Sequence, residues 1–195
     1  MEKDKRINGC KLLILGGSAG SLEVLIKILP HLTVLSGYAM VIVLHRKGSE
    51  DNTLEELIAI KTTVPVVEVE DKTPLVPGHI YVAPSDYHLL FEKNDTISLD
   101  TSEKVNYSRP SIDVSFESAA DIYGASLVAI LLSGANADGT NGLISVKNAG
   151  GTVIIQDPVS AEVSFMPGNA LDNMKAHFVA DVKKILELIL SINID

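Results

Sequence analysis

Three side chains in this 195-residue chain have the types that nucleophilic acyl chemistry needs: Ser18, His45 and Asp138. Ser18 stands in Gly16-Gly17-Ser18-Ala19-Gly20. That run fits Gly-x-Ser-x-Gly, the nucleophile elbow, where flanking glycines let a serine stand exposed over a strand end. A histidine beside such a serine can take its proton, and a carboxylate can hold the imidazole in the right tautomer. Each residue also has a plainer reading. Gly-rich turns of this kind can be structural or can cradle a phosphate. His45 can be a polar strand-end residue without a partner, and Asp138 can be only the N-cap of a helix. Asp157 also follows a strand and competes for the place of the acid, while Asp86 belongs to a hairpin connection. His31, His79, His88 and His177 fall on or near helices, in a turn and in the hairpin, and are weaker candidates. The pattern leaves the acid open.

The rival phosphate motifs fail on spacing. A dinucleotide fingerprint starting at Gly16 needs glycine at positions 18 and 21, which are Ser18 and Ser21. No G-x-x-x-x-G-K-[ST] run is present either.

The elements around these residues must carry them to one place. Residues 12–15 form a short apolar run, as expected of a buried parallel strand. After the turn, Leu22, Leu25, Ile26 and Leu29 recur at helical spacing. The helix start supplies free backbone N–H groups and a partial positive charge beside Ser18. Residues 38–44 are a second apolar run, ending at His45. A polar loop, 46–53, leads to Thr53 as expected N-cap with Glu56 three residues on. Leu54, Leu57, Ile58 and Ile60 give the following helix its apolar face.

Farther on, 65–69 reads as a third strand and 71–78, with Pro74, Pro77 and Gly78, as loop. Segments 80–83, 89–92 and 96–99 are short and partly alternating, and predict an antiparallel hairpin or meander. Residues 100–110 are polar, 113–123 helical, and 127–132 the most apolar strand. A second Gly-rich turn spans 133–142, followed by a helix over 141–148, a strand over 152–156 and helices over 167–174 and 182–190. Residues 161–166 read as loop or a helical turn.

Strands alternating with helices predict an α/β fold, a doubly wound and mainly parallel sheet with helices on both faces and an antiparallel hairpin. Such sheets take ligands beyond the carboxyl ends of their strands. Ser18, His45 and, six residues past Leu132, Asp138 all follow strand ends, so they can converge at one sheet edge. The length points to one domain over 1–195. A chain 46% apolar and 21% charged is ordinary for a soluble globular protein. The formal charge of −9 argues against nucleic acid as partner. The lone Cys10 excludes an internal disulfide and offers no metal-ligand spacing. No apolar run reaches the ~18 residues of a membrane span, and the first residues lack a signal-peptide core, so a cytoplasmic protein without membrane insertion is expected.

Taken together, six segments resemble the chemotaxis protein-glutamate methylesterases, the CheB family. They are LGGSAGSLEVL (15–25), VLHR (43–46), GHIYVAPSDYHL (78–89), RPSIDVSFESAA (109–120), LLSGANADGTNGL (131–143) and GGTVIIQDPVSAEVSFMPGNAL (150–171). They run in order over about residues 12–175. The resemblance implies a three-layer α/β/α fold with a catalytic Ser18, His45 and Asp138, and leaves Asp157 outside the triad. It implies hydrolysis of glutamyl γ-methyl esters on methyl-accepting chemotaxis receptors, with glutamine deamidation as a second activity, and no metal or organic cofactor. A serine esterase for another ester, or a non-catalytic partner in a signalling complex, are the readings from other classes.

Three departures from the family pattern matter. The usual S-T-G-G is Ser18-Ala19-Gly20-Ser21 here, and the methionine common three residues before the aspartate is Ala135. Backbone N–H groups at Ala19 and Ala135 still offer an oxyanion hole. Family members also commonly carry an N-terminal phosphorylatable receiver domain, whereas about eleven residues precede the first strand here. The chain therefore reads as a free-standing catalytic domain, the alternative for its control being a separate response regulator that docks in trans. The expected outcome is methylesterase activity without a phosphodonor. Stimulation of the isolated chain several-fold by acetyl phosphate and magnesium would contradict it.

Overall fold

The computed structural model describes residues 7–46 and 53–193. The first half of the chain runs β1 (Leu12–Gly17), α1 (Ser21–Ile28), β2 (Ala39–Leu44), α2 (Thr53–Lys61), β3 (Val66–Glu68), β4 (Thr73–Pro74) and β5 (Ile80–Val82). There follow β6 (His88–Phe91), β7 (Thr96–Asp100), α3 (Ile112–Tyr123), β8 (Leu127–Leu131) and α4 (Thr140–Asn148). The chain closes with β9 (Thr152–Gln156), α5 (Phe165–Asn173), β10 (Phe178–Ala180) and α6 (Val182–Leu190). Seven strands form one sheet in the order β10-β9-β8-β1-β2-β5-β3, and every pair in it is parallel. A separate antiparallel sheet has the order β4-β7-β6.

Period-two alternation sends the strand residues to two cores. On one face Leu13, Leu15, Met40, Ile42 and Ile130 pack with Leu25 and Ile28 of α1 and Ile185 and Ile189 of α6. On the other, Leu12, Ile14, Val41, Ala129 and Leu131 pack with Phe116 of α3, Leu143 of α4 and Met166 of α5. The small sheet adds Leu89, Phe91 and Ile97 to that second core. The result is the three-layer α/β/α arrangement with a mainly parallel sheet. Central strands are buried on both faces, which is why β1, β2 and β8 read as continuous apolar runs.

The sheet also has a switch point that the site uses. After β1 the chain leaves to the face of α1, whereas after the neighbouring β8 it leaves to α4, whose Leu143 and Val146 lie on the opposite face. Loops diverging from two adjacent strands leave a crevice between them at the carboxyl ends. Ser18 begins the first of these loops and Asp138 lies on the second.

Several expectations need correction. Residues 80–83 do not belong to an antiparallel meander: β5 sits in the main sheet, parallel to β2 and β3. Ile80, Tyr81, Val82 and Ala83 are all buried, so the run lacks the polar face of a half-exposed hairpin strand. The 71–78 loop contributes β4, which pairs with β7 and completes a three-stranded sheet. The three-residue β10 went unanticipated, being too short to show a period. Helix α2 carries Ile58 inward, but Ile60 is 79% exposed and does not join its apolar face. Thr53 is the first helical residue rather than a flanking cap, and 47–52 of the preceding loop lie outside the described residues. Helix α5 begins at Phe165, two residues before Pro167.

Where β1 passes α3 there is no room for a side chain. A Cβ on Gly16 would lie 2.5 Å from Ile112 Cγ2 and 2.9 Å from Phe116 Cζ. Gly16→Ala should therefore push the start of α3 off the sheet and destabilise the fold by about 1–3 kcal/mol, the usual cost of overpacking a core. Urea denaturation checks this. An unchanged midpoint would mean that α3 gives way freely at this contact.

Candidate active site

Ser18 leaves the end of β1 in a turn fixed by its own backbone. Its N–H donates to the Ser133 carbonyl at 2.9 Å and to Ser21 Oγ at 3.1 Å. The Ser21 hydroxyl, fully buried at the start of α1, donates in turn to the Ser133 carbonyl at 2.7 Å. Position 21, where the family pattern has glycine, thus supplies a hydroxyl that ties the elbow to the loop after β8. Gly20 takes φ 82 at the N-cap of α1, a left-handed backbone that glycine adopts without strain. A Cβ there would sit 2.7 Å from Ser133 Oγ and from Glu162 Cβ, so the turn packs tightly on both neighbouring loops.

Consequently the Ser18 N–H is already engaged and is not available to a further acceptor. Ala19 and Ala135 are both exposed, and no described residue accepts a hydrogen bond from either N–H. The two loops that carry them are joined by Ser133 Oγ, which donates to the Ala19 carbonyl at 2.7 Å. Ser133 is itself held by its N–H to Gln156 Oε1 at 2.9 Å.

His45 follows β2, whose Leu44 is in register with Gly17 of β1. One more ladder bond, from His45 N–H to the Gly17 carbonyl at 3.1 Å, extends the pairing to the residues beside Ser18. The imidazole Nε2 meets Asp138 Oδ2 at 2.7 Å. An ionised carboxylate can only accept, so Nε2 carries the proton and Nδ1 keeps the lone pair. The Ser18 and His45 side chains are brought to paired strand ends without a hydrogen bond between them. His45 and Asp138 are in direct contact. Asp157, the competing acid, accepts the Val159 N–H at 3.0 Å within its own turn.

Asp138 is fully buried and its carboxylate is saturated. Oδ2 also accepts the Ile112 N–H at 2.6 Å. Oδ1 accepts from Ser111 Oγ at 2.9 Å, the Asp113 N–H at 3.0 Å and Asn106 Nδ2 at 3.0 Å. Ile112 and Asp113 open α3, so the carboxylate occupies the positive end of that helix dipole. Burial alone pushes the Asp138 carboxyl up; the bonds from His45, Asn106, Asp113 and Ile112 outweigh it and hold the group below its usual range. It is a charge at neutral pH.

Sequence reasoning missed most of this supporting set. Ser111 caps α3 and donates to Asp138; its N–H rests on His88 Nδ1 at 3.2 Å, and His88 Nε2 reaches the Glu103 carbonyl at 2.9 Å. His88, dismissed as a hairpin residue, is a buried prop of the helix start. Asn106 Nδ2 bridges Asp138 and Asp113, the second bond being 2.8 Å to Asp113 Oδ2. Burial and the nearby Asp138 charge raise the Asp113 carboxyl, against the Gly142 N–H and Asn106 that lower it. The only sequence signal for Asn106 is its tolerance of positive φ. It sits at φ 50 beside Tyr107 at φ 62, in a two-residue turn closed by bonds between Val105 and Ser108.

An open pocket of about 380 Å³ lies against His45, walled by Arg46, Asp86, Lys104, Tyr107 and Arg109. Arg46 is clamped by two bonds to Glu55, at 2.6 and 3.0 Å, and by one to the Ala83 carbonyl. Among the described residues no cluster of His, Cys, Asp or Glu could hold a metal ion.

An acyl-transfer relay calls for a serine, a histidine within its reach and a carboxylate on that histidine; here Ser18 and His45 follow paired strand ends and Asp138 touches His45. The comparisons agree with the resemblance seen in the sequence. A family model described as CheB methylesterase matches residues 13–189. A Leptospira interrogans protein, provisionally named protein-glutamate methylesterase/protein-glutamine glutaminase, is 38% identical over 181 residues, covering 93% of this chain and 94% of that protein. The Thermotoga maritima protein-glutamate methylesterase/protein-glutamine glutaminase is 33% identical, and the match covers 93% of this chain but 54% of that protein. The crystal structure of the Thermotoga maritima CheB methylesterase catalytic domain superposes with a TM-score of 0.86 at 32% identity, over 93% of this chain and 97% of that one. The chain belongs to the CheB methylesterase family.

Proposed function

We propose that this chain is a protein-glutamate methylesterase that hydrolyses glutamyl γ-methyl esters on methyl-accepting chemotaxis receptors, with glutamine deamidation as a second activity. The observation that carries the reading is the 2.7 Å contact of His45 Nε2 with Asp138, made one strand from the elbow serine. Ser18 Oγ attacks the γ-carbonyl carbon, and its proton passes to His45 Nδ1. Asp138 holds the imidazolium through Nε2–H. The negative oxygen of the tetrahedral intermediate is taken by the N–H groups of Ala19 and Ala135. Collapse breaks the bond to the methoxy oxygen, which receives the proton from Nδ1 and leaves as methanol. Water then attacks the acyl-serine, gives its proton to Nδ1, and Ser18 regains it as glutamate departs. With a glutamine side chain the same steps release ammonia.

The Ser21 hydroxyl accepts the Ser18 N–H and donates to the Ser133 carbonyl, so the elbow is held although Ala19 offers no hydroxyl beside the serine. Among the described residues no helix is long and apolar enough to cross a membrane, in keeping with a cytoplasmic enzyme acting on the inner part of a receptor. A separate response regulator remains the proposed partner.

Methanol release from radiomethylated receptor membranes tests the function. Ser18→Ala and His45→Ala should each remove nearly all of it, and the double variant should lose no more than either one, since the residues share one job. Methanol release by Ser18→Ala at a comparable rate would overturn the assignment.

For the acid, Asp138→Asn should cost up to ~10⁴ in kcat, the loss seen when a triad carboxylate is replaced by its amide. Asp157→Asn should cost much less, because that side chain serves only its own turn. The reverse ranking, read from kcat on the same substrate, would move the third role to Asp157.

A further inference from the structure

The pocket beside His45 has a charge unlike the rest of the molecule. The chain has 25 acidic and 16 basic residues, yet this wall brings together Arg46, Lys104 and Arg109 against the single carboxylate of Asp86. The Arg46 charge is met by Glu55 at 2.6 Å. The other two cations are not neutralised in this way. Arg109 spends Nη1 on the carbonyls of Thr101 and Ser102, at 2.7 and 2.8 Å, and its buried Nε has no partner among the described residues. Lys104 is exposed and forms no ion pair with a described residue. Two positive charges thus face a concave space whose inner wall is the proposed general base.

The wall is not a loose loop. Lys104 precedes the tight turn from Val105 to Ser108, and Asn106 of that turn is bonded to Asp138 itself. Tyr107 at the turn tip is 98% exposed in a left-handed conformation, an aromatic ring held out towards solvent beside the pocket. A turn tied to the buried acid fixes Lys104 and Arg109 relative to the reacting centre. An anionic group that enters there is positioned with the ester it accompanies.

We infer that this pocket is a subsite for a carboxylate side chain of the protein substrate, about one helical turn from the methylated glutamate, held by Lys104 and Arg109. The inference rests on the methylesterase reading and adds to it the acidic sequence context that the enzyme prefers. On a helical substrate segment, side chains three or four residues apart are neighbours, about 5–6 Å between Cβ atoms, and Lys104 and Arg109 line the same pocket as His45. Carboxylate, rather than a neutral polar group, is the fitting chemistry because Lys104 and Arg109 are charged donors on this wall, and a charge-assisted bond is the stronger one.

Synthetic peptides with one glutamyl γ-methyl ester test this, each carrying either Glu or Gln three or four residues to one side. Wild-type protein should hydrolyse the best Glu peptide with kcat/KM about three- to tenfold above its Gln counterpart, through KM, and the gap should close as salt rises. Lys104→Gln should bring kcat/KM on the Glu peptide down towards that on the Gln peptide, erasing most of that preference. Lys104→Glu should invert it, so that a peptide with Lys at the same place becomes the better substrate. Equal rates on every Glu and Gln pair, or a preference that survives both Lys104 variants, would overturn the subsite. Failure to hydrolyse any of the peptides, together with failure on receptor membranes, would instead contradict the methylesterase reading.

Discussion

The structure depends on keeping one carboxylate, Asp138, charged in a place where water cannot reach it. A bare ion there would cost several kcal/mol, and it is tolerated only because every lone pair is used. The donors come from four separate parts of the chain: His45 after β2, Asn106 on the turn before α3, Ser111 at its cap, and the first N–H groups of α3. Satisfying the charge therefore fixes the relative positions of all four. The helix dipole adds to the same end. Because the imidazole is one of the donors, its orientation follows from the same requirement. Proton transfer at Nδ1 in the proposed mechanism is thus a by-product of burying an acid correctly.

A second carboxylate shows what happens with fewer donors. Asp113, the second residue of α3, has the Gly142 N–H and Asn106 but also faces the Asp138 charge, and its carboxyl is raised where that of Asp138 is lowered. Neighbouring acids are separated by environment in this way, and the better-satisfied one keeps its charge. Asn106 lies between them with one NH₂ group bonded to both, so the turn that carries Tyr107 and follows Lys104 is coupled to the electrostatics of the relay. The fold thereby links the proposed chemistry to the rim where a protein substrate would lie.

Much of this was legible in the chain. Strand ends are marked by apolar runs that stop at a polar residue, and Ser18 and His45 stand at two such stops; Asp138 follows a third within a Gly-rich loop. Parallel topology does the rest, by delivering those ends to one edge. The three layers were legible for the same reason, and the β6–β7 hairpin from its short, partly alternating segments. What was not legible depends on partners far away in sequence. A short apolar run such as Ile80–Val82 fits a hairpin or a central strand equally, and only its two parallel neighbours decide. The three residues of β10 carry no period at all. Ser21, Ser111 and His88 look like ordinary polar residues until the buried group each one satisfies is seen. Asp138 outranks Asp157 in the structure by geometry alone: one touches His45, the other closes its own turn.

The central claim is that the buried Asp138 charge fixes the proton of His45 on Nε2 and leaves Nδ1 as the base. Long-range proton–nitrogen NMR on nitrogen-labelled protein reads the two ring nitrogens separately. The account predicts that the His45 signals show a protonated Nε2 and an unprotonated Nδ1, and that Asp138→Asn disturbs this tautomer in a folded protein. A wild-type His45 that carries its proton on Nδ1 would contradict it.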